Sequence, residues 1–188
     1  MNVLGLVLSP RKNGNTEILI SEALASAEKA GAQVEMLHAA DLSISPCDAC
    51  GACMAEGICR IKDDMQIVYE KMDQADGIIF GTPVYFLNVS AQAKAVIDRT
   101  YACMMKGRLR GKVAAVIAAA RRVGAGQVLS LMYSYFSAQR MIIAGGGVGY
   151  GRDKGEVRQG PGMSPMLSAL EEAQAIGRNV VKMRNRIS

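Results

Sequence analysis

Five short segments limit how this chain can fold. Val3 to Leu8, Gly77 to Phe80, Val113 to Ala120 and Met141 to Ala144 are continuously apolar, whereas Gln33 to Leu37 alternates polar with apolar residues. Unbroken apolar runs of strand length are buried on both faces, as in the middle of a parallel sheet, and alternation marks a half-covered edge strand. Between them lie helical spacings: Ile20, Ala23, Leu24 and Ala27; then Ala93, Val96, Ile97 and Thr100; and finally Ile176, Val180, Met183 and Ile187. Residues 128 to 138 read as a further helix. Strands alternating with helices predict an α/β fold, with right-handed crossovers placing helices on both faces of one parallel sheet. Five strands in the order 2-1-3-4-5 would put a ligand beside the carboxyl ends of the first and third.

A chain of 188 residues reads as one domain spanning 1 to 188, with enough length to bury a core around a single sheet. No apolar stretch approaches membrane-spanning length, and Ser9-Pro10-Arg11-Lys12 ends the first run too early for a signal peptide. The expectation is a cytoplasmic protein without membrane association. Its net charge of +5 comes from 22 basic and 17 acidic residues, and no basic cluster is interleaved with aromatics as a nucleic-acid surface requires. Such a balance still attracts an anionic nucleotide.

Ser9 to Thr16 joins the first strand to the first helix. Pro10 fixes one backbone angle, Gly14 permits conformations other residues resist, and Ser9, Asn13, Asn15 and Thr16 supply polar side chains at a helix start. Unpaired amides and the positive end of the helix dipole attract an anion there, and Arg11 adds charge. The stretch is equally an ordinary capped turn. Neither G-x-x-x-x-G-K-[ST] nor G-x-G-x-x-G occurs, which disfavours a nucleoside triphosphate or a Rossmann dinucleotide.

Cys47, Cys50, Cys53 and Cys59 form a C-x2-C-x2-C-x5-C run that holds four of the chain's five cysteines. Thiolates at such short spacing converge on one site, and [4Fe-4S] clusters are held by four of them. Zinc, disulfides formed in air and an empty site are the alternatives; zinc sites more often use two separated pairs. Asp63-Asp64-Met65 reads as the cap of the helix that follows. Cys103 reads as a packed or partly exposed thiol, and His38 as structural.

Ser9 to Thr16 resembles the FMN phosphate loop of the NADPH-dependent FMN reductases. Together with the cysteine run, Ile61 to Met65, Ala75 to Ile79, Thr82 to Phe86 and Lys94 to Arg99, it resembles the iron-sulfur flavoprotein branch of that family. The likeness is dense over about the first hundred residues and weaker beyond them. It implies a flavodoxin-like three-layer sandwich with a cysteine-rich insertion after the second strand, at about residues 43 to 64. FMN phosphate is then expected at Ser9, Arg11, Asn13, Asn15 and Thr16. The flavin ring is expected beside Pro83, Val84, Tyr85 and Phe86, with a third wall at Ala120, Gly124 and Gly126; Gly124 to Gln127 departs from the family's glycine-rich segment.

The implied function is an FMN-dependent oxidoreductase coupling two-electron flavin chemistry to a one-electron [4Fe-4S] cluster on the four cysteines. NAD(P)H or a small redox protein would be the donor, and a small molecule or protein the acceptor, in a homodimer or homotetramer. No catalytic triad is expected, since the cofactor carries the chemistry. The alternatives are an NAD(P)H-dependent FMN or quinone reductase without a cluster, and a flavodoxin-like electron carrier. Gly145 to Gly162 is expected to be a lid or subunit contact, or else a flexible surface loop.

Overall fold

The computed structural model describes residues 1–187. Its strands are β1 (Asn2–Val7), β2 (Gln33–His38), β3 (Gly77–Pro83), β4 (Val113–Ala120) and β5 (Ile142–Tyr150). All are parallel, in the order β2-β1-β3-β4-β5. The helices are α1 (Asn15–Lys29), α2 (Cys53–Glu56), α3 (Met65–Gln74), α4 (Ala91–Arg99), α5 (Tyr101–Lys106), α6 (Ala125–Ala138) and α7 (Ala169–Ile187), with 3-10 turns at Ala39–Asp41 and Glu156–Arg158. This is the flavodoxin-like three-layer arrangement that the alternation of apolar runs and helical spacings predicts. No helix among the described residues is long and apolar enough to cross a membrane.

Period-2 geometry divides the core in two. Val3, Val7, Ile79, Ala115 and Ile117 face one side and pack with Ile20, Ala23, Ile176 and Val180 of α1 and α7. Leu4, Leu6, Ile78, Phe80 and Val116 face the other and pack with α3, α4, α5 and α6 through Val68, Met72, Val96, Cys103, Val128 and Phe136. Each fully buried Val, Leu, Ile, Phe or Met side chain among these stabilises the fold by ~1.5–3 kcal/mol, which favours the uninterrupted apolar runs in β1, β3 and β4. Among the described residues β2 pairs only with β1, and it is half exposed, as its alternation predicts.

β5 is longer than expected. Gly145 to Tyr150, assigned from sequence to a loop, pair with Ala115 to Ala120 of β4. The glycines suit the strand because side chains press on it: a Cβ at Gly146 would lie 2.4 Å from the Tyr133 hydroxyl, and one at Gly149 would lie 2.7 Å from Leu19 Cδ1. The segment that follows is also tied down. Glu172, buried in α7, accepts the amides of Met163 at 3.0 Å and Ser164 at 3.1 Å.

Candidate functional site

The carboxyl ends of β1 and β3 lie side by side, joined by a 2.8 Å bond from Leu8 N to Gly81 O and by Ser90 Oγ donating to Leu8 O at 2.6 Å. The Ser9 to Thr16 turn rises from this junction. The Ser9 hydroxyl is spent inside the turn, accepting the Arg11 amide at 3.1 Å. Asn13 stands at φ 53°, and its amide donates to Glu17 Oε2 at 2.6 Å. Glu17 also meets His38 Nε2 at 2.9 Å, while His38 Nδ1 accepts the Ala40 amide at 3.1 Å. That acceptor role puts the neutral imidazole's proton on Nε2, so His38 donates to Glu17 and Glu17 holds the turn.

The turn's polar side chains therefore do different work. Asn15 Nδ2 donates to Asp153 O at 2.9 Å and its Oδ1 accepts Gly155 N at 2.8 Å, so this side chain ties down the loop after β5. Thr16, only 2% exposed, has no hydroxyl partner among the described residues, and neither the Asn13 amide group nor the Arg11 guanidinium has one. At the start of α1 the first amides have no carbonyl four residues back. With Thr16 and Arg11 they make a cradle of unpaired donors, the chemistry that suits an anion.

Beyond β3, Tyr85 and Asn88 exchange backbone bonds of 2.8 and 3.1 Å, closing a two-residue turn at Phe86 (φ 46°) and Leu87 (φ 68°). Positive φ at both positions is the geometry glycine usually serves, and each non-glycine residue held there costs ~1–3 kcal/mol. The strain presents Phe86 fully exposed at the tip. Val84 N donates to Ala119 O at 2.9 Å, so the hairpin leans on β4. Gly124 at φ 96° lets the chain turn from β4 into α6 against it. A cleft of about 650 Å³ opens here, between Val84, Phe86 and Leu87 on one wall and Arg121, Arg122, Val123 and Arg152 on the other. The three arginine side chains are exposed and make no hydrogen bond among the described residues.

The cysteine loop lies over α4 and α5. All four of its cysteines line one small cavity, together with Arg99 and Tyr101. Cys47 and Cys50 are exposed; Cys53 and Cys59 are half-buried. The thiols do not converge tightly enough to form a single-ion site among the described residues. Burial, together with the neighbouring sulfurs of Cys59, Cys47 and Cys50, pushes the Cys53 thiol above its ordinary range. A bound cation would relieve that crowding of thiolates.

What fastens this loop is an ion pair. Arg99, with its side chain fully buried, meets Asp63 through two bonds of 2.9 and 3.0 Å. It also donates to Ser45 O at 2.9 Å and to Ile61 O at 3.1 Å, so one guanidinium holds both ends of the insertion. Burial opposes the charge on Arg99, but the Asp63 bond and the nearby Cys59 sulfur and Asp63 carboxylate more than offset it, so its pKa is raised. Asp63 in turn accepts the amides of Ser45 and Met65.

The profile of the NADPH-dependent FMN reductases matches residues 1–154. An iron-sulfur flavoprotein of Methanocaldococcus jannaschii is 35% identical over 193 residues, spanning 97% of this chain and 97% of its own. The chain belongs to the iron-sulfur flavoprotein branch of the FMN reductase family. Another relative in this branch, from Methanosarcina thermophila, is 36% identical over 148 residues, which is 77% of this chain and 78% of that protein. Among solved structures, RosB superposes with a TM-score of 0.78 at 17% identity over all of this chain and 80% of its own. A WrbA-like flavodoxin from Agrobacterium tumefaciens gives 0.67 at 17% identity over 100% of this chain and 99% of its own. These two likenesses concern the fold alone.

As an iron-sulfur flavoprotein, the chain places its expected site residues in three groups along one edge of the sheet. Arg11, Asn13 and Thr16 stand at the cradle, with Ser9 inside the turn and Asn15 turned toward the loop after β5. Pro83 to Phe86 line the hairpin, Ala120 ends β4, and Gly126 faces open space in the first turn of α6. Sequence reasoning missed Glu17, Arg99 and the three cleft arginines, whereas His38, read from sequence as structural, braces Glu17. One signal was available: Arg99 lies three residues after Val96 on the buried face of a helix, where a charge requires a partner. Asp63, assigned to helix capping, is that partner. It does cap α3, through the Met65 amide, while its neighbour Asp64 makes no side-chain cap and instead accepts the Ser43 amide. Cys103 is fully buried in α5, and burial pushes its thiol up to about 11.

Proposed function

We propose that this chain is an FMN-dependent oxidoreductase that exchanges electrons between flavin and a [4Fe-4S] cluster held by Cys47, Cys50, Cys53 and Cys59. The observation that carries the reading is the single cavity shared by these four thiols, braced by Arg99 and Asp63. A cubane attaches each thiolate to a different iron, so it suits four sulfurs spread around a cavity better than a lone ion would. When bound, FMN supplies hydride chemistry and the cluster one-electron steps. The protein's part is to position and to exclude. Thr16, Arg11 and the α1 amides would hold the FMN phosphate, with Glu17 and His38 keeping the turn in shape. Val84 to Leu87 would wall the ring, and the hairpin's backbone strain fixes that wall in advance.

Three guanidinium groups along the cleft, faced by the single Glu156 carboxylate near Arg121 and Arg152, favour an anionic partner, which supports NAD(P)H as donor over a neutral one. The exposed Phe86, Leu87 and Val123 support close approach of a second subunit, as in a homodimer or homotetramer whose cluster in one chain serves flavin in another. A cluster-free NAD(P)H-dependent reductase is the competing reading. It is favoured by the smallness of the cysteine cavity, about 20 Å³.

Anaerobic purification, with iron, acid-labile sulfide, zinc and extracted flavin measured on one sample, separates these readings. FMN with about four irons and four sulfides per chain is the expected result. FMN alone would leave the simple reductase, zinc would replace the cluster, and no flavin after reconstitution would overturn the proposal. Adding NADPH to the same sample should bleach the flavin. In Cys50→Ala, iron and sulfide should be lost while FMN remains; unchanged iron would remove the cysteines from the cluster assignment. Thr16→Val removes one hydroxyl donor at constant shape. It should weaken FMN about five- to thirtyfold, the effect of ~1–2 kcal/mol, in a fluorescence titration.

A further inference from the structure

We infer that Arg99 has a second role at the cysteine cavity: its Nε–H is a hydrogen-bond donor kept for a sulfur of the bound cluster. This rests on the cluster reading proposed above. A guanidinium carries five N–H donors. The four on the terminal nitrogens of Arg99 are met by Ser45 O, Ile61 O and the two Asp63 oxygens, at 2.9 to 3.1 Å. The fifth, on Nε, is buried and has no partner among the described residues. Burying a charged donor unpaired is costly, and native structures seldom leave one so.

The residue lines the same cavity as all four cysteines, and the two carboxylates that also line it are already engaged. Asp98 accepts Lys94 Nζ at 2.6 and 2.7 Å, and Asp48 is paired with Arg60. Beside the Tyr101 hydroxyl, sulfur is the side-chain acceptor that remains. A neutral thiol is a weak acceptor, whereas a thiolate or sulfide of a cluster carries negative charge and makes a charge-assisted bond. The unmatched donor thus makes sense once a cluster is in place. Arg99 is a positioning residue for the loop that also sets the electronics of the centre: a buried cation and a hydrogen bond to sulfur both favour the more negative, reduced cluster.

The test uses the anaerobically purified holoprotein, fully reduced so that the cluster is paramagnetic and the flavin is not, and labelled with arginine carrying 15N at Nε. Electron spin echo modulation should show a 15N coupling to the cluster. Arg60 is the other arginine on this cavity, so the coupling should persist in Arg60→Lys and vanish in Arg99→Lys, which keeps a cation but has no Nε. The Arg99→Lys cluster should also be harder to reduce. A tenfold shift in its oxidised-to-reduced ratio corresponds to about 59 mV for one electron. Iron and sulfide are assayed on every sample. A wild-type chain without a cluster would overturn both readings. A loaded wild-type cluster with no 15N coupling would overturn this inference alone, whether or not the variants fold, and so would a coupling that is lost in a loaded Arg60→Lys.

Discussion

Asp63→Ala is expected to destabilise the protein by ~3–5 kcal/mol, the typical result of leaving one member of a buried ion pair without the other. Arg99 is fully buried, so its charge cannot swing out to water. The same substitution removes the acceptor for the amides of Ser45 and Met65, freeing one end of the cysteine loop and uncapping α3. Urea unfolding under anaerobic conditions should show the loss as a lower midpoint, and iron of the proposed cluster should dissociate at urea concentrations where the sheet is still folded. A midpoint equal to that of the wild type would mean that the ion pair does not hold the loop.

Acid should reveal the same pair. Burial alone would raise the Asp63 carboxyl, but the Arg99 bond and the two backbone amides outweigh it and bring its pKa from 3.8 down to about 2. A depressed carboxyl contributes stability that is complete above the unfolded value and disappears as pH falls through the folded one. For Asp63 that window runs from 3.8 to about 2, and its worth is ~2 kcal/mol. The acid loss is smaller than the mutational one because a protonated Asp63 still offers oxygens to Arg99. Asp63→Asn should lack this component of the acid transition, which guanidinium-free unfolding scans at stepped pH would detect.

The sheet was legible because each central strand is a run with no polar interruption, and burial on both faces leaves few other ways to place such a run. The tail of β5 was not legible. Gly145, Gly146, Gly147 and Gly149 look like a loop in sequence, and only the side chains of α1, α6 and α7 pressing on them show that a strand runs there. At the site, the cradle's position followed from the strand-to-helix turn, but the division of labour within it did not. Asn15 and Thr16 are neighbours of similar polarity, yet Asn15 faces a loop 138 residues away in sequence. The Arg99–Asp63 pair was hidden for a related reason. Its partners are 36 residues apart, and a spacing pattern marks a face of a helix without naming what covers it.

Gly124→Val should weaken flavin binding while leaving the protein folded. Gly124 stands at φ 96°, a conformation that costs a side-chain-bearing residue ~1–2 kcal/mol and a β-branched one still more. A Cβ there would lie 2.8 Å from Val84 Cγ1 and 3.0 Å from the Leu87 Cα. Val84 could rotate, but Leu87 contributes backbone, so the hairpin itself must move, at a further ~1–3 kcal/mol. The displaced element is the strained turn that presents Phe86, the proposed wall of the flavin ring. If half of that cost falls on the bound state, FMN affinity drops about five- to sixtyfold, at 1.4 kcal/mol per tenfold, and a fluorescence titration reads it directly. Gly126 supplies the contrast. No heavy atom lies within 4 Å of a Cβ placed there, and it sits in the first turn of α6, so Gly126→Ala should bind FMN as before. Equal affinity for the two variants would place the ring somewhere other than between the hairpin and the β4 to α6 turn. A loss confined to Gly124→Val would show that one glycine, by its φ and its closeness to Leu87, keeps the cleft open.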